Sequence, residues 1–143
     1  MPRLLIAEDN ADFASALGRK AEGCGWQVTL CRDGAELVAE LATSSPPALL
    51  LIDINMPELD GIEAIQQIAA GPMARGWRIR FMTGGPDVNA VAARMIAGAR
   101  DLNVGKSLFK PFSMARFAEE LDREAELLAD MEHPQRDDED RPA

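Results

Sequence analysis

Short apolar runs alternate with helical stripes along most of this chain. Residues Arg3 to Ala7 form a first run, closed at once by Glu8 and Asp9, which is the pattern of a buried strand ending at a polar edge. Phe13, Leu17 and Ala21, with Ala14 and Gly18 beside them, recur at helical spacing, with Asp12 placed as the cap and Gly23 and Gly25 as the stop. Gln27 to Cys31 alternates as a strand should, with Val28 and Leu30 on one face and Gln27 and Thr29 on the other. Asp33-Gly34 is a turn; Leu37, Val38 and Leu41 make a second stripe, broken by Thr43-Ser44-Ser45-Pro46-Pro47.

Ala48 to Ile52 is apolar at every position and runs into Asp53. Gly61 to Ala70 predicts a third helix through Ile62, Ile65 and Ile68, and Ile79, Phe81 and Met82 predict a fourth strand ending at Thr83. Val88, Val91, Ala92, Met95 and Ile96 predict a fourth helix, and Leu108 and Phe109 the centre of a short fifth strand. Met114, Phe117, Ala118, Leu121, Ala125 and Leu128 form the clearest helical stripe of all. The order is βαβαβαβαβα. Strands that are apolar on both faces and alternate with helices predict a doubly wound five-stranded parallel sheet, an α/β fold with helices on each side and right-handed crossovers.

Length and composition fit this picture. The chain has 143 residues, 47% of them hydrophobic, which suits one core. The expected domain covers residues 2–129, followed over 130–143 by an acidic tail read as disordered. The formal net charge is −9, and that tail carries a net four of those negative charges. A binder of nucleic acid needs a basic face to displace counterions, so this class is disfavoured. No apolar run approaches the roughly 20 residues that cross a bilayer, and the acids at positions 8 and 9 come too early for a signal peptide. Cys24 and Cys31 give neither a disulfide framework nor a CxxC pair, and a reducing cytoplasm is expected.

In open parallel sheets, functional groups gather beyond the C-terminal ends of the strands. Here those ends supply Glu8 and Asp9, Asp53, Thr83 and Lys110. Taken singly, most have plain structural roles: a solvated loop, a strand-end hydroxyl, a surface charge. Asp53 is harder to assign so, because a charge following Leu49-Leu50-Leu51-Ile52 is costly unless it is paired or used. Three carboxylates at one edge repel one another, and Mg²⁺, with its preference for oxygen ligands, relieves the repulsion. One carboxylate can then act as a nucleophile towards phosphorus, while the cation and Lys110 stabilise charge on the transferring oxygens.

The motifs resemble those of response-regulator receiver domains, the CheY-like, flavodoxin-like (βα)5 fold. Asp53-Ile54-Asn55-Met56-Pro57-Glu58-Leu59-Asp60-Gly61 is similar to the family's phosphoacceptor signature, Glu8-Asp9-Asn10 to its acidic pair, Met82-Thr83-Gly84 to its switch hydroxyl, and Phe109-Lys110-Pro111-Phe112 to its lysine-proline ending. The resemblance covers about residues 2–127. It implies that Asp53 accepts a phosphoryl group from a sensor histidine kinase or a histidine phosphotransfer protein. It implies further that Glu8, Asp9, Asp53 and the Asn55 backbone carbonyl hold Mg²⁺, that Thr83 and Lys110 contact the phosphoryl oxygens, and that the Lys110–Pro111 bond is cis.

Two departures from the family pattern stand out. Ser107 occupies the place, three before the lysine, where receivers usually carry an aromatic switch. Thr83 and Lys110 lie 27 positions apart, longer than the family norm, so the helix-to-strand region between them is expected to be remodelled. No further domain is expected after the last helix. Three functions then compete: a single-domain response regulator acting by protein contact or as a phosphate sink, a degenerate receiver that docks partners without phosphorylation, and a phosphatase of the haloacid dehalogenase type. Gly85, unable to shield an acyl phosphate, leans towards the sink. The phosphatase requires an aspartate where Asn55 stands. A receiver is not expected to turn over a separate substrate.

Overall fold

The computed structural model of the chain describes residues 1–54, 58–84, 98–99 and 101–132. Strands β1 (Arg3–Ala7), β2 (Gln27–Cys31), β3 (Ala48–Asp53) and β4 (Trp77–Thr83) alternate with helices α1 (Ala11–Gly23), α2 (Gly34–Ala42) and α3 (Glu58–Ala70). A single 3₁₀ turn, Ala74–Gly76, leads into β4; two short strands, β5 (Asn103–Val104) and β6 (Leu108–Phe109), precede the long helix α4 (Met114–Glu132). The strand order is β2-β1-β3-β4-β5, with β6 also on β4, and every pairing is parallel.

The alternation of side chains along the strands divides the core in two. Leu5, Ala7, Leu50, Ile52, Ile79 and Phe81 point to one face and pack with Leu37 of α2 and Ile65 and Ile68 of α3. Leu4, Ile6, Leu49, Leu51 and Met82 point to the other and pack with Leu17 and Ala21 of α1 and Phe117, Leu121 and Leu128 of α4. Because β3 lies in the middle of the sheet and is covered on both faces, all six of its residues are buried, Asp53 included. The doubly wound parallel architecture is therefore as the sequence predicts.

Several boundaries differ. The cap of α1 is Asn10, whose Oδ1 accepts from the Phe13 N–H at 3.0 Å, rather than Asp12, which lies inside the first turn. The third helix begins at Glu58, three residues before the expected Gly61. The fourth strand begins at Trp77 and includes Arg78 and Arg80. Helix α4 runs to Glu132, so Asp130, Met131 and Glu132, expected in the tail, are helical. The expected helix through 88–96 and the tail from 133 lie outside the described residues.

The expected short strand over Leu108 and Phe109 is present, but it does not hold the edge alone, so among the described residues the sheet has six strands rather than five. The edge beside β4 is shared by two pieces: Asn103–Val104 against Arg78 and Ile79, then Leu108–Phe109 against Met82 and Thr83. Residues Gly105 to Ser107 interrupt them. The cause lies in β4. A Cβ at Gly105 would overlap the Arg78 guanidinium and Arg80 Cδ, and Arg80 Nε donates to the Lys106 carbonyl. Two arginines on one face of a strand take the space and the backbone acceptor that an unbroken ladder would use.

Candidate functional site

The strand order reverses at β1, whose neighbours β2 and β3 lead away in opposite directions. The crevice at the C-terminal ends of β1 and β3 is where the sheet presents its polar residues. Glu8 follows β1, with its N–H donating to the Cys31 carbonyl at 3.0 Å, and it is 2% exposed. Asp53 ends β3 and is also 2% exposed. The Ile54 N–H donates to the Met82 carbonyl at 3.0 Å, which ties the residue after Asp53 to β4.

Lys110 bridges the two buried acids. Its Nζ donates to Glu8 Oε1 at 2.7 Å and to Asp53 Oδ2 at 3.2 Å. The backbone holds it there, since the Lys110 N–H donates to the Thr83 carbonyl at 2.8 Å. The Lys110–Pro111 bond is cis, as expected. Burial pulls the lysine pKa down. The hydrogen bond to Glu8 and the charges of Asp53 and Glu8 outweigh that pull and raise it above the ordinary lysine value. Glu8 Oε2 accepts the Asn10 N–H at 3.1 Å, so the acid is also fixed to the turn that starts α1.

Asp9 is exposed at the mouth of the crevice. One carboxylate oxygen from each of Glu8, Asp9 and Asp53 lies within 4.8 Å of the others. Among the described residues, three carboxylates and the ammonium of Lys110 give the crevice a formal charge of minus two. An all-oxygen donor set with an excess of two negative charges fits a hard divalent cation. Thr83, buried at 6% exposure, ends β4 on the same edge and pairs in register with Phe109. The sheet thus brings together Glu8, Asp9, Asp53, Thr83 and Lys110; Asn55 and Gly85 lie outside the described residues.

Two features of the surroundings escaped the sequence. The ring of Phe13 lies under Lys110, with Nζ 4.8 Å from its centroid, and Phe13, Phe112 and Phe117 follow one another at 5.8 and 6.0 Å. Behind the split edge strand sits a buried ionic network. Arg78 pairs with Glu124 at 2.9 Å, Arg80 with Glu124 at 2.9 Å and Glu120 at 3.2 Å, and Glu120 takes further bonds from Arg116 and Arg123. Burial pushes the Glu120 pKa up, but the charge and hydrogen bonds of Arg80, joined by Arg116 and Arg123, hold it below the ordinary value. The signal for this network was present in the sequence: arginines two apart on a strand, and glutamates four apart on a helix.

Ser107 lines an open cleft of about 350 Å³ with Leu108, Phe109, Pro111, Phe112, Ser113 and Arg116. Phe109 is 64% exposed and faces away from the core, as its place next to buried Leu108 dictates.

The family model for the response regulator receiver domain matches residues 4–122. The chain is 36% identical over 124 residues to the response regulator receiver protein CpdR of Brucella abortus, covering 86% of this chain and 96% of that protein. It is 32% identical over 114 residues to the transcriptional regulatory protein PrrA of Mycobacterium tuberculosis, covering 80% of this chain and 46% of PrrA, so it spans about half the length of such relatives. Among solved structures, a CheY-like receiver from Methanospirillum hungatei superposes with a TM-score of 0.74 at 20% identity, covering 92% of this chain and 98% of that one. The receiver domain of sensor histidine kinase PA1611 from Pseudomonas aeruginosa, solved with a magnesium ion coordinated in its active-site cleft, matches with a TM-score of 0.64 at 25% identity over 85% of this chain and 95% of its own. Among the described residues, no helix is long and apolar enough to cross a membrane.

Proposed function

Since the chain belongs to the response regulator receiver domain family, we propose that it works in phosphorelay signalling by accepting a phosphoryl group on Asp53 from a phosphohistidine of a sensor histidine kinase or histidine phosphotransfer protein. One observation carries this reading: Lys110 Nζ lies 2.7 Å from Glu8 and 3.2 Å from Asp53, beside three carboxylate oxygens gathered within 4.8 Å.

Glu8, Asp9 and Asp53, with the backbone carbonyl of Asn55, are the residues that would hold Mg²⁺. The excess negative charge of the crevice supports this choice, as does the magnesium in the PA1611 receiver. When bound, Mg²⁺ supplies charge neutralisation for the phosphoryl oxygens. The remaining chemistry belongs to the side chains. A carboxylate oxygen of Asp53 attacks phosphorus; the P–O bond forms as the P–N bond to the donor imidazole breaks, and the electron pair leaves with that nitrogen. Lys110 pairs with one phosphoryl oxygen and Thr83 donates its hydroxyl to another, so both hold charge where it develops. Hydrolysis clears the site: water attacks phosphorus, the P–O bond to Asp53 breaks, inorganic phosphate departs and the Asp53 carboxylate is restored.

The similarity to the response regulator receiver protein CpdR supports signalling through the receiver itself, residues 2–129, acting in the cytoplasm by contact with a downstream protein or as a phosphate sink. Ser107 in the aromatic-switch place and the split edge strand favour the sink, because position 107 carries no ring to move inward. The net charge of −9 disfavours nucleic acid as the partner.

The test is mass spectrometry with acetyl phosphate and Mg²⁺ on the wild type and on Asp53→Ala, followed by the decay of the adduct. A Mg²⁺-dependent gain of one phosphoryl group, lost in the variant and decaying in minutes, is the expected result. A lifetime of hours contradicts the sink. No adduct and no beryllofluoride binding would point to a docking module that never uses Asp53.

A further inference from the structure

Resting on that reading of Asp53, we propose that Phe13 is a positioning residue for Lys110, its ring face holding the ammonium in place while the carboxylates around it change their charge. Among the described residues, Glu8 at 2.7 Å, Asp53 at 3.2 Å and the Phe13 ring at 4.8 Å from its centroid face Lys110 Nζ. The first two do not stay constant through the reaction. Asp53 becomes esterified to phosphorus, and Glu8 shares its charge with a cation. The negative face of an aromatic ring takes no proton and ligates no hard cation, so its attraction for the ammonium is the same before and after transfer.

The ring is itself fixed from both sides. Phe13 lies in the first turn of α1, where its N–H is bonded by the Asn10 cap, and the Asn10 N–H in turn holds Glu8. Ring and acid are therefore tied to one turn. From the other side Phe112, two residues after the lysine, packs on Phe13 with planes at 60°, and Phe117 of α4 packs on Phe112. The stack links the turn that carries Glu8, the segment that carries Lys110 and the C-terminal helix. A lysine stem has four rotatable bonds, and its ammonium must be placed against a phosphoryl oxygen. A rigid ring beneath it narrows that search.

The experiment replaces Phe13 with phenylalanines carrying one, two and three ring fluorines, and with Leu. The fluorinated rings are near-isosteric and drain the ring face without emptying the site, whereas Leu removes the ring altogether. Initial rates of phosphorylation by acetyl phosphate with Mg²⁺ are measured for each, together with the NMR shift of the Lys110 ε protons. The expected result is an upfield ε-proton shift in the wild type that disappears in Phe13→Leu. The rate should fall step by step with each fluorine and by about fivefold or more in Phe13→Leu. A rate that ignores fluorination, in a wild type that is phosphorylated, overturns the proposal and leaves the role of Asp53 standing. A wild type that takes no phosphoryl group brings down the receiver reading, and this inference with it.

Discussion

Arg80 and Glu124 meet at 2.9 Å between β4 and α4, the arginine 5% exposed and the glutamate 1%. Few surfaces of a small domain bury charge so fully, and here the burial shapes the backbone. The same Arg80 donates to the Lys106 carbonyl, and the edge strand breaks at that place.

Removing one partner from a buried network leaves the others uncompensated. Arg80→Met is therefore expected to destabilise the chain by about 3 kcal/mol, and Arg80→Met with Glu124→Leu by less than the sum of the two single changes. Urea unfolding of the three variants checks this. A loss below about 1 kcal/mol for Arg80→Met would place the pair in the class of exposed salt bridges instead.

Acid should weaken the same region. The Glu120 carboxyl is held below its ordinary value of 4.5, so the unfolded chain takes up this proton more readily than the folded one. Its contribution is complete above pH 4.5 and is lost as pH falls from there through the folded value. Stability measured by urea unfolding between pH 7 and pH 3 should fall less steeply in Glu120→Gln, which starts lower at neutral pH.

Gly105 is required by its neighbours rather than by its own backbone. Gly105→Ala pushes a methyl group against Arg78 and Arg80 and should cost about 1–3 kcal/mol. Gly23→Ala, at a position with nothing within 4 Å, serves as the control and should be neutral or stabilising by about 0.4–1 kcal/mol. Thermal unfolding of the pair distinguishes crowding from a general effect of glycine loss.

The two thiols should behave differently. Burial first, then the carboxylates of Glu40, Glu36 and Asp33, push the Cys31 thiol up to about 12, whereas Cys24 is exposed. A disulfide reagent at pH 8 should label Cys24 alone in the folded protein and both thiols in urea. Labelling of Cys31 at the same rate as Cys24 would contradict its enclosure.

The sheet and the gathering of the five candidate residues at its edge were legible because their signals are local. Leu49 to Ile52 are apolar at successive positions, and each of Glu8, Asp53, Thr83 and Lys110 directly follows or ends an apolar run, where a parallel sheet collects its functional groups. The misses come from contacts between distant segments. Asn10 and Asp12 are both capable caps, and the choice fell to the residue whose N–H is also held by Glu8. The edge strand is two residues long in each piece because of arginines more than 20 positions earlier. The partners of Arg78 and Arg80, Glu120 and Glu124, come from a helix at least 40 positions later. Phe13 read as a core residue of α1, and only the fold puts Lys110 on its face.

The central claim, that Asp53 carries the phosphoryl group, is tested most directly by trapping it. After exposure to acetyl phosphate and Mg²⁺, borohydride reduces an aspartyl phosphate to homoserine, and peptide mapping then identifies the residue that reacted. Homoserine at position 53 alone, dependent on Mg²⁺ and strongly reduced in Lys110→Ala, is the result predicted here. Homoserine at Asp9 or elsewhere in a wild type that has gained a phosphoryl group would contradict it.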